Sequence, residues 1–447
     1  MASAASFPVD RLNNKPSLAV LKTSLKRCKN NPESEQLCRQ LYERIKALHD
    51  AVAPLDFASP LKRKYIDILV RFVKLTHREA LLLRLATSNS TPYKARELHR
   101  VLDDIANGLG VPANDPLMQW QEAWKQASEE LRSQLKAMVS ASNERMLANE
   151  IRGEKLVKEV LMTLYAGLES DESLEFRQFK RERYDRVRSF LDQHGPSIFN
   201  WYAPRQNVFI DSDQWIGNGT FGDVSRGTLL LQNGERKDVV VKQLFKHVTS
   251  DVNSTELFMR QLQFWNDLMT NEAIPKTHIL QLYAAVHIGD PQLYVCEAAV
   301  NGNLMDFLGE EENKSLFWPM FLQAAEGLRI LHSNGMVHGG LKCTNILVGE
   351  DGEGNKVAKL SDFGFSFIRG LSIELSNHKN KAMTSAVRWK PKEMLQETTD
   401  ANYRFAADVY GLGHRWSCTP SSRWGLGRSM EPHIRPVLRR VQAATDT

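Results

Sequence analysis

Cysteine is scarce in this chain, with five residues in 447, an odd number and no paired spacing; a disulfide framework is not implied and a reducing compartment fits. No Cys/His cluster has metal-site spacing, and no internal repeat marks a solenoid. Long apolar runs are missing as well. No segment approaches the roughly 20 uninterrupted apolar residues that a membrane span needs, and Met1 to Pro16 lacks the apolar core of a secretory signal. The net charge of +5 is slight for this length, and basic residues interleave with acids, which gives nucleic-acid binding no support. These absences lead us to expect a soluble cytoplasmic chain, long enough to bury two cores.

What is present changes character near residue 200. Before it, helix signals dominate. Asn31-Pro32, Ser59-Pro60 and Thr91-Pro92 each set a capping residue before a proline, whose fixed φ suits a first helical turn. Leu37, Leu41, Ile45, Leu48 and Val52 keep one face, and amphipathic segments follow over about 60–87, 93–109, 115–147, 150–168 and 172–193. Residues 1–200 are therefore expected to form an antiparallel all-α helical bundle that docks protein partners, with self-association left open.

From 208 onward the grammar is different. Residues 217–224 read Gly-Asn-Gly-Thr-Phe-Gly-Asp-Val, a G-x-G-x-x-G-x-V pattern in which glycine lets backbone approach phosphates. A dinucleotide-binding fold would follow such a loop with a helix. Here Val224 to Leu231, an Asn233-Gly234 turn and Val239-Val240-Val241-Lys242 read as strand, turn and strand. Further on come Val-His-Gly-Gly-Leu-Lys-Cys-Thr-Asn at 337–345 and Asp362-Phe363-Gly364, the latter preceded by the strand-like Lys359-Leu360.

In this order these phrases resemble the protein-kinase signatures: the glycine loop, the strand lysine, the H-R-D-L-K-x-x-N catalytic loop and the D-F-G motif. The wording of the loop and of Val387-Arg388-Trp389 is similar to the tyrosine-kinase-like group of serine/threonine kinases. The resemblance implies an α+β two-lobed kinase fold over 208–411, with ATP and Mg2+ as cofactors. It implies nucleotide contacts from Ile216, Gly217, Gly219, Gly222, Val224, Val240, Lys242 and Leu347, and from a hinge at Glu297 and Ala299 behind Cys296. Asn345 and Asp362 become the magnesium ligands, oxygen donors suited to a hard cation. His338 is expected to pack on Phe363.

The departures matter equally. Gly340 stands where the catalytic Asp belongs, between His338 and Lys342, and glycine can neither orient a substrate hydroxyl nor accept its proton. Gly339 replaces the arginine that clamps an activation-loop phosphate. Gln261 falls in the slot of the helix glutamate that pairs with Lys242; its amide can hydrogen-bond the lysine without neutralising it, so glutamate at 261 is expected to help. Val240 stands where alanine is usual. Residues 386–393 resemble the end of an activation segment, with Pro391-Lys392-Glu393 in place of A-P-E.

Beyond Gly411 the resemblance stops. Residues 412–447 are Arg-rich and Pro-punctuated without a sustained helical period, so an incomplete C-lobe and a disordered tail are expected, the shift reading as a frame change or alternative exon. Residues 28–45 resemble a helix of the N-terminal bundles in mixed-lineage kinase-domain-like pseudokinases and related adaptors. The expected function is an ATP-binding signalling pseudokinase or strongly impaired serine/threonine kinase. An active serine/threonine kinase and a bundle scaffold that binds no nucleotide are the alternatives.

Overall fold

The structure, a computed structural model, describes residues 23, 25–26, 31–77, 79–169, 173–191, 199–218, 222–231, 235–245, 252–289, 291–363 and 407–412. It divides into two units, the first holding Met1–Ile198 with Pro204–Asn207 and Leu230–Arg236, the second holding the remainder. Of the expected tail, Leu412 is described, helical and buried, while residues 413–447, residues 386–393, the Asn233-Gly234 turn, Gly219 and Gly364 lie outside the described residues.

The first unit is helical. A 3-10 turn at Pro32–Ser34 leads into α1 (Glu35–Val52), followed by α2 (Pro60–Leu75), α3 (Leu81–Ala86), α4 (Ser90–Gly108), α5 (Gln121–Ala141), α6 (Glu144–Glu150), α7 (Glu154–Ala166) and α8 (Leu174–Phe190). On α1 the expected stripe of Leu37, Leu41, Ile45, Leu48 and Val52 is buried, and it meets Tyr65, Ile68 and Phe72 of α2 and Leu98, Leu102 and Ile105 of α4 in one core. The apolar period over 60–87 spans two helices rather than one. The break falls at Thr76, whose N–H closes the end of α2 on Phe72 and whose hydroxyl bonds the Val73 carbonyl. Helix α4 starts at Ser90, ahead of the Thr91-Pro92 signal, because the Ser90 N–H already bonds the Thr87 carbonyl.

Apolar periodicity does not reveal what else sits in that core. Arg44, projecting from α1, donates to the His99 ring at 3.0 Å, to the His99 carbonyl at 2.9 Å and to Asp103 at 2.5 Å. The Trp120 indole N–H also bonds Asp103, at 3.0 and 3.1 Å, and its ring stacks on His99 at 4.5 Å. A second buried pair, Arg84 and Glu33, closes at 2.6 Å. Lys62, itself buried, donates to the Ala53 carbonyl at 2.5 Å and so satisfies one of the acceptors that every helix C-terminus leaves open. Buried charge is tolerable only in such fixed company.

The second unit holds a five-stranded sheet of β1 (Val208–Asn218), β2 (Gly222–Leu230), β3 (Arg236–Leu244), β4 (Leu282–Val286) and β5 (Leu293–Cys296), ordered β1-β2-β3-β5-β4. Helix α9 (Val252–Thr270) buries Phe258, Leu262, Trp265 and Leu268, the spacing of one helix face. Then follow α10 (Leu304–Phe307), α11 (Phe317–Ser333) and the hairpin of β6 (Ile346–Glu350) with β7 (Lys356–Leu360), in register from Ile346↔Leu360 to Glu350↔Lys356. Gly222 is fixed by packing: a Cβ there would lie 2.0 Å from the Gln243 carbonyl oxygen on β3.

The bundle core has a pH signature. Burial, reinforced by the Arg44 charge, holds the His99 imidazole neutral, its pKa down at about 3. The unfolded chain takes up a proton below about pH 6.5, where the folded chain refuses it, so stability is lost as pH falls through that window, by about 1.4 kcal/mol per unit. Denaturant melts of the full chain between pH 6 and pH 4 should show this slope, and His99→Gln should flatten it. An unchanged slope in the variant would place the acid sensitivity elsewhere.

Candidate functional site

The glycine loop, the strand lysine and the two later motifs converge within the second unit. Lys242, buried on β3 opposite Tyr294 of β5, places its Nζ 2.6 Å from Asp362 Oδ1. Asp362 holds φ at +58°, the sole non-glycine residue with positive φ among the described residues. An L-residue adopts that left-handed conformation at a cost of about 1 kcal/mol, and aspartate is among the few that do so readily. The bend turns its carboxylate toward Lys242 and sends the next residue, Phe363, inward. Phe363 is buried, with Trp265 of α9 edge-on at 4.9 Å and His338 edge-on at 6.4 Å.

Gln261 is engaged differently from the expectation. Its amide Nε2 donates to the Phe363 carbonyl at 2.7 Å, and its Oε1 accepts from the Tyr294 hydroxyl at 2.9 Å. The residue thus ties α9 to the backbone of the Asp362-Phe363 segment, and it is Asp362 that lies against Lys242. Register alone puts residue 261 beside the lysine; the carbonyl of Phe363 decides where its amide turns.

The loop at 337–345 is held by its backbone. Asp408, in the helical segment at 407–412, accepts from the His338 N–H at 2.6 Å, the Gly339 N–H at 2.8 Å and His332 Nε2 at 3.1 Å. Gly339 has φ at +70°, a conformation that favours glycine and would strain the arginine of the family pattern. Asn345 donates through Nδ2 to the Gly340 carbonyl at 2.9 Å, and its own carbonyl accepts from both the N–H and the hydroxyl of Ser361 at 2.9 Å. Those bonds fasten the loop to the strand end that carries Asp362. At Gly340 an added Cβ would meet nothing within 4 Å, so the missing carboxylate is a chemical gap and not a steric necessity.

Along the sheet, Ile216 is exposed and Val224, Val240 and Leu347 are half-buried, while Val241, Ile346 and Val348 beside them are buried. Apolar surface at these four positions thus stays partly uncovered, as contact with a planar base would require. At its edge the Glu297 side chain is spoken for, accepting from the Gln281 N–H at 2.7 Å and pairing with Lys359 at 2.7 Å. Its N–H bonds the Gln281 carbonyl, whereas the Glu297 carbonyl and the Ala299 N–H have no partner among the described residues. Those two groups form a backbone acceptor and donor of the kind that reads an adenine edge. Burial pushes the Cys296 thiol up, which leaves it unreactive.

The residues present fit the implied cofactors: Asn345 Oδ1 and the Asp362 carboxylate are oxygen donors for magnesium, with Lys242 as a cation for phosphate. Lys342 lies in the anchored loop. Tyr294 and Trp265 were given no part by the sequence, although counting the register of β5 against Lys242 singles out Tyr294.

Comparison with known proteins agrees with this geometry. The family described as protein tyrosine and serine/threonine kinase matches residues 210–416. Protein-tyrosine kinase 6 of Homo sapiens is 28% identical over 222 residues, 49% of this chain and 44% of its own. A Dictyostelium discoideum protein described as a probable serine/threonine-protein kinase is 28% identical over 201 residues, 44% of this chain and 19% of its own. The chain spans less than half the length of either relative. Residues 210–416 are a protein-kinase domain, preceded by a helical region.

Asp408 is the natural point of attack on this site. Asp408→Ala leaves the buried His338 N–H, the part-buried Gly339 N–H and His332 without their acceptor, which should cost the second unit about 3–5 kcal/mol. Calorimetry should show the loss in the full chain, and a variant as stable as the parent would mean that the loop is held otherwise.

Proposed function

We propose that the chain is an ATP-binding signalling protein whose kinase domain is catalytically impaired, with serine/threonine chemistry of the tyrosine-kinase-like group as its background. One observation carries this reading: Lys242 pairs with Asp362 and Asn345 is bonded to Ser361, the neighbour of Asp362, while position 340, whose carbonyl holds the Asn345 amide, has no side chain. When bound, magnesium neutralises the charge that develops on transferring phosphate. The chain's own part is to cradle the base between Ile216, Val224, Val240 and Leu347, to hold its edge at Glu297 and Ala299, and to set Lys242 against phosphate. What it lacks at Gly340 is a group to orient the acceptor hydroxyl and take its proton. Positioning and electrostatics persist without that group, so a slow residual transfer belongs to the same reading. The helical region serves in it as the docking element for protein partners in the cytoplasm.

Mg·ATP should raise the melting temperature of the full chain by about 5–10 °C at a hundredfold excess over Kd. Asp362→Asn should remove most of the magnesium-dependent part of that shift. A well-folded parent that shows no shift at millimolar Mg·ATP sinks the binding claim.

Gly340→Asp tests the impairment directly. The Cβ has room, so phosphotransfer to a generic protein substrate should rise about 100-fold, the low end of the range ascribed to a general base. A parent that already turns over at about 1–100 per second is an active kinase, and the reading fails.

A further inference from the structure

The residue facing Phe363 is the neutral Gln261, and its donor and acceptor are used in a fixed order. A carbonyl oxygen can only accept, so the amide nitrogen must face Phe363, and the amide oxygen is then left for the Tyr294 hydroxyl. All three groups are buried. We infer that Gln261 is a positioning residue whose neutral amide sets the Asp362-Phe363 segment, and that glutamate, which the family resemblance would put in this slot, is the wrong residue here. Its functional weight rests on the nucleotide-site reading above.

A carboxylate at 261 presents acceptors only. It can take the Tyr294 hydroxyl, but it meets the Phe363 carbonyl lone pair to lone pair, in a place where water cannot relieve the clash. Nor does a cation wait for it, since Lys242 is already against Asp362 at 2.6 Å. The titratable groups around the relay are Tyr294 and Cys296 on β5, Lys242 on β3, Asp362, and His338 against the Phe363 ring. Burial holds the Tyr294 hydroxyl and the Cys296 thiol protonated and the His338 ring neutral. None of these three supplies a positive charge that would favour ionised glutamate.

Protonation, however, would repair the variant, because a neutral carboxyl O–H can donate to the Phe363 carbonyl as the amide does. Burial raises a carboxyl pKa and brings that repair into reach of mild acid. The test is melting of the full chain without nucleotide at pH 8 and pH 5.5, each variant read against the parent at the same pH. Gln261→Glu should melt about 5–10 °C below the parent at pH 8 and recover at least half of that deficit at pH 5.5. Gln261→Met, which has no proton to gain, should stay low at both. A Gln261→Glu protein as stable as the parent at pH 8, or with the same deficit at both pH values, overturns the inference. If this variant shows no cooperative transition at pH 8, one appearing at pH 5.5 supports the inference and none at either pH overturns it. The arms also separate the two claims: a pH-repaired variant beside a parent with no Mg·ATP shift would sink the proposed function and leave Gln261's role intact, while a nucleotide shift without repair would do the reverse.

Discussion

The ion pair between Lys242 and Asp362 is the constraint around which the second unit is arranged. It joins the middle of the five-stranded sheet to the segment that follows β7, and it does so across a bend that aspartate can adopt and most residues resist. The bend drives Phe363 into the core, where Trp265 of α9 and His338 of the anchored loop close around it. Sheet, helix and loop are thereby referred to one short stretch of backbone. Gln261 and Ser361 bond that stretch from opposite sides, one from α9 and one within the strand end toward Asn345.

The helical unit meets the same problem of buried charge by a comparable route. Arg44 is neutralised by Asp103 and satisfied by two acceptors on His99, and Trp120 covers the group while sharing its carboxylate. A purely apolar replacement would pack as well or better, since desolvating ions rarely stabilises on balance. What such a cluster adds is selectivity. An apolar stripe tolerates sliding by a turn, whereas an arginine that must find Asp103 and His99 together permits one register of α1 against α4.

How much of this the sequence discloses follows from the range of each interaction. Local periodicity marks the α1 face and the strand-like runs of β2 and β3, because those patterns repeat within a few residues, while the Asn233-Gly234 turn lies outside the described residues. The break between α2 and α3 escapes it, since Leu81, Leu82 and Leu85 continue the apolar count past Thr76, where α2 ends. The Arg44 cluster escapes for a different reason: its partners stand 55 and 59 positions away and belong to no motif. At the site, motif register locates Lys242, Asn345, Asp362 and the hinge, but the orientation of an amide depends on which carbonyl faces it. Residue 261 is legible as a position, and its bonds to Phe363 and Tyr294 are not.

The two glycines of the loop show why its shape and its chemistry separate. The path of 337–345 is set by backbone donors to Asp408 and by the Asn345 amide on the Gly340 carbonyl, and not one of these bonds involves the side chain of residue 339 or 340. Gly339 relieves the left-handed conformation that this path demands, and Gly340 sits in open space where either a hydrogen or a carboxylate fits. A loop built this way keeps its form when the reacting group is removed. The oxygen donors at Asn345 and Asp362 and the cation at Lys242 then stay where they are, since their positions derive from Ser361, Gly340 and each other. On the proposed reading, binding and catalysis in such a site draw on different residues, so glycine at 340 would remove much of the second while leaving the first in place.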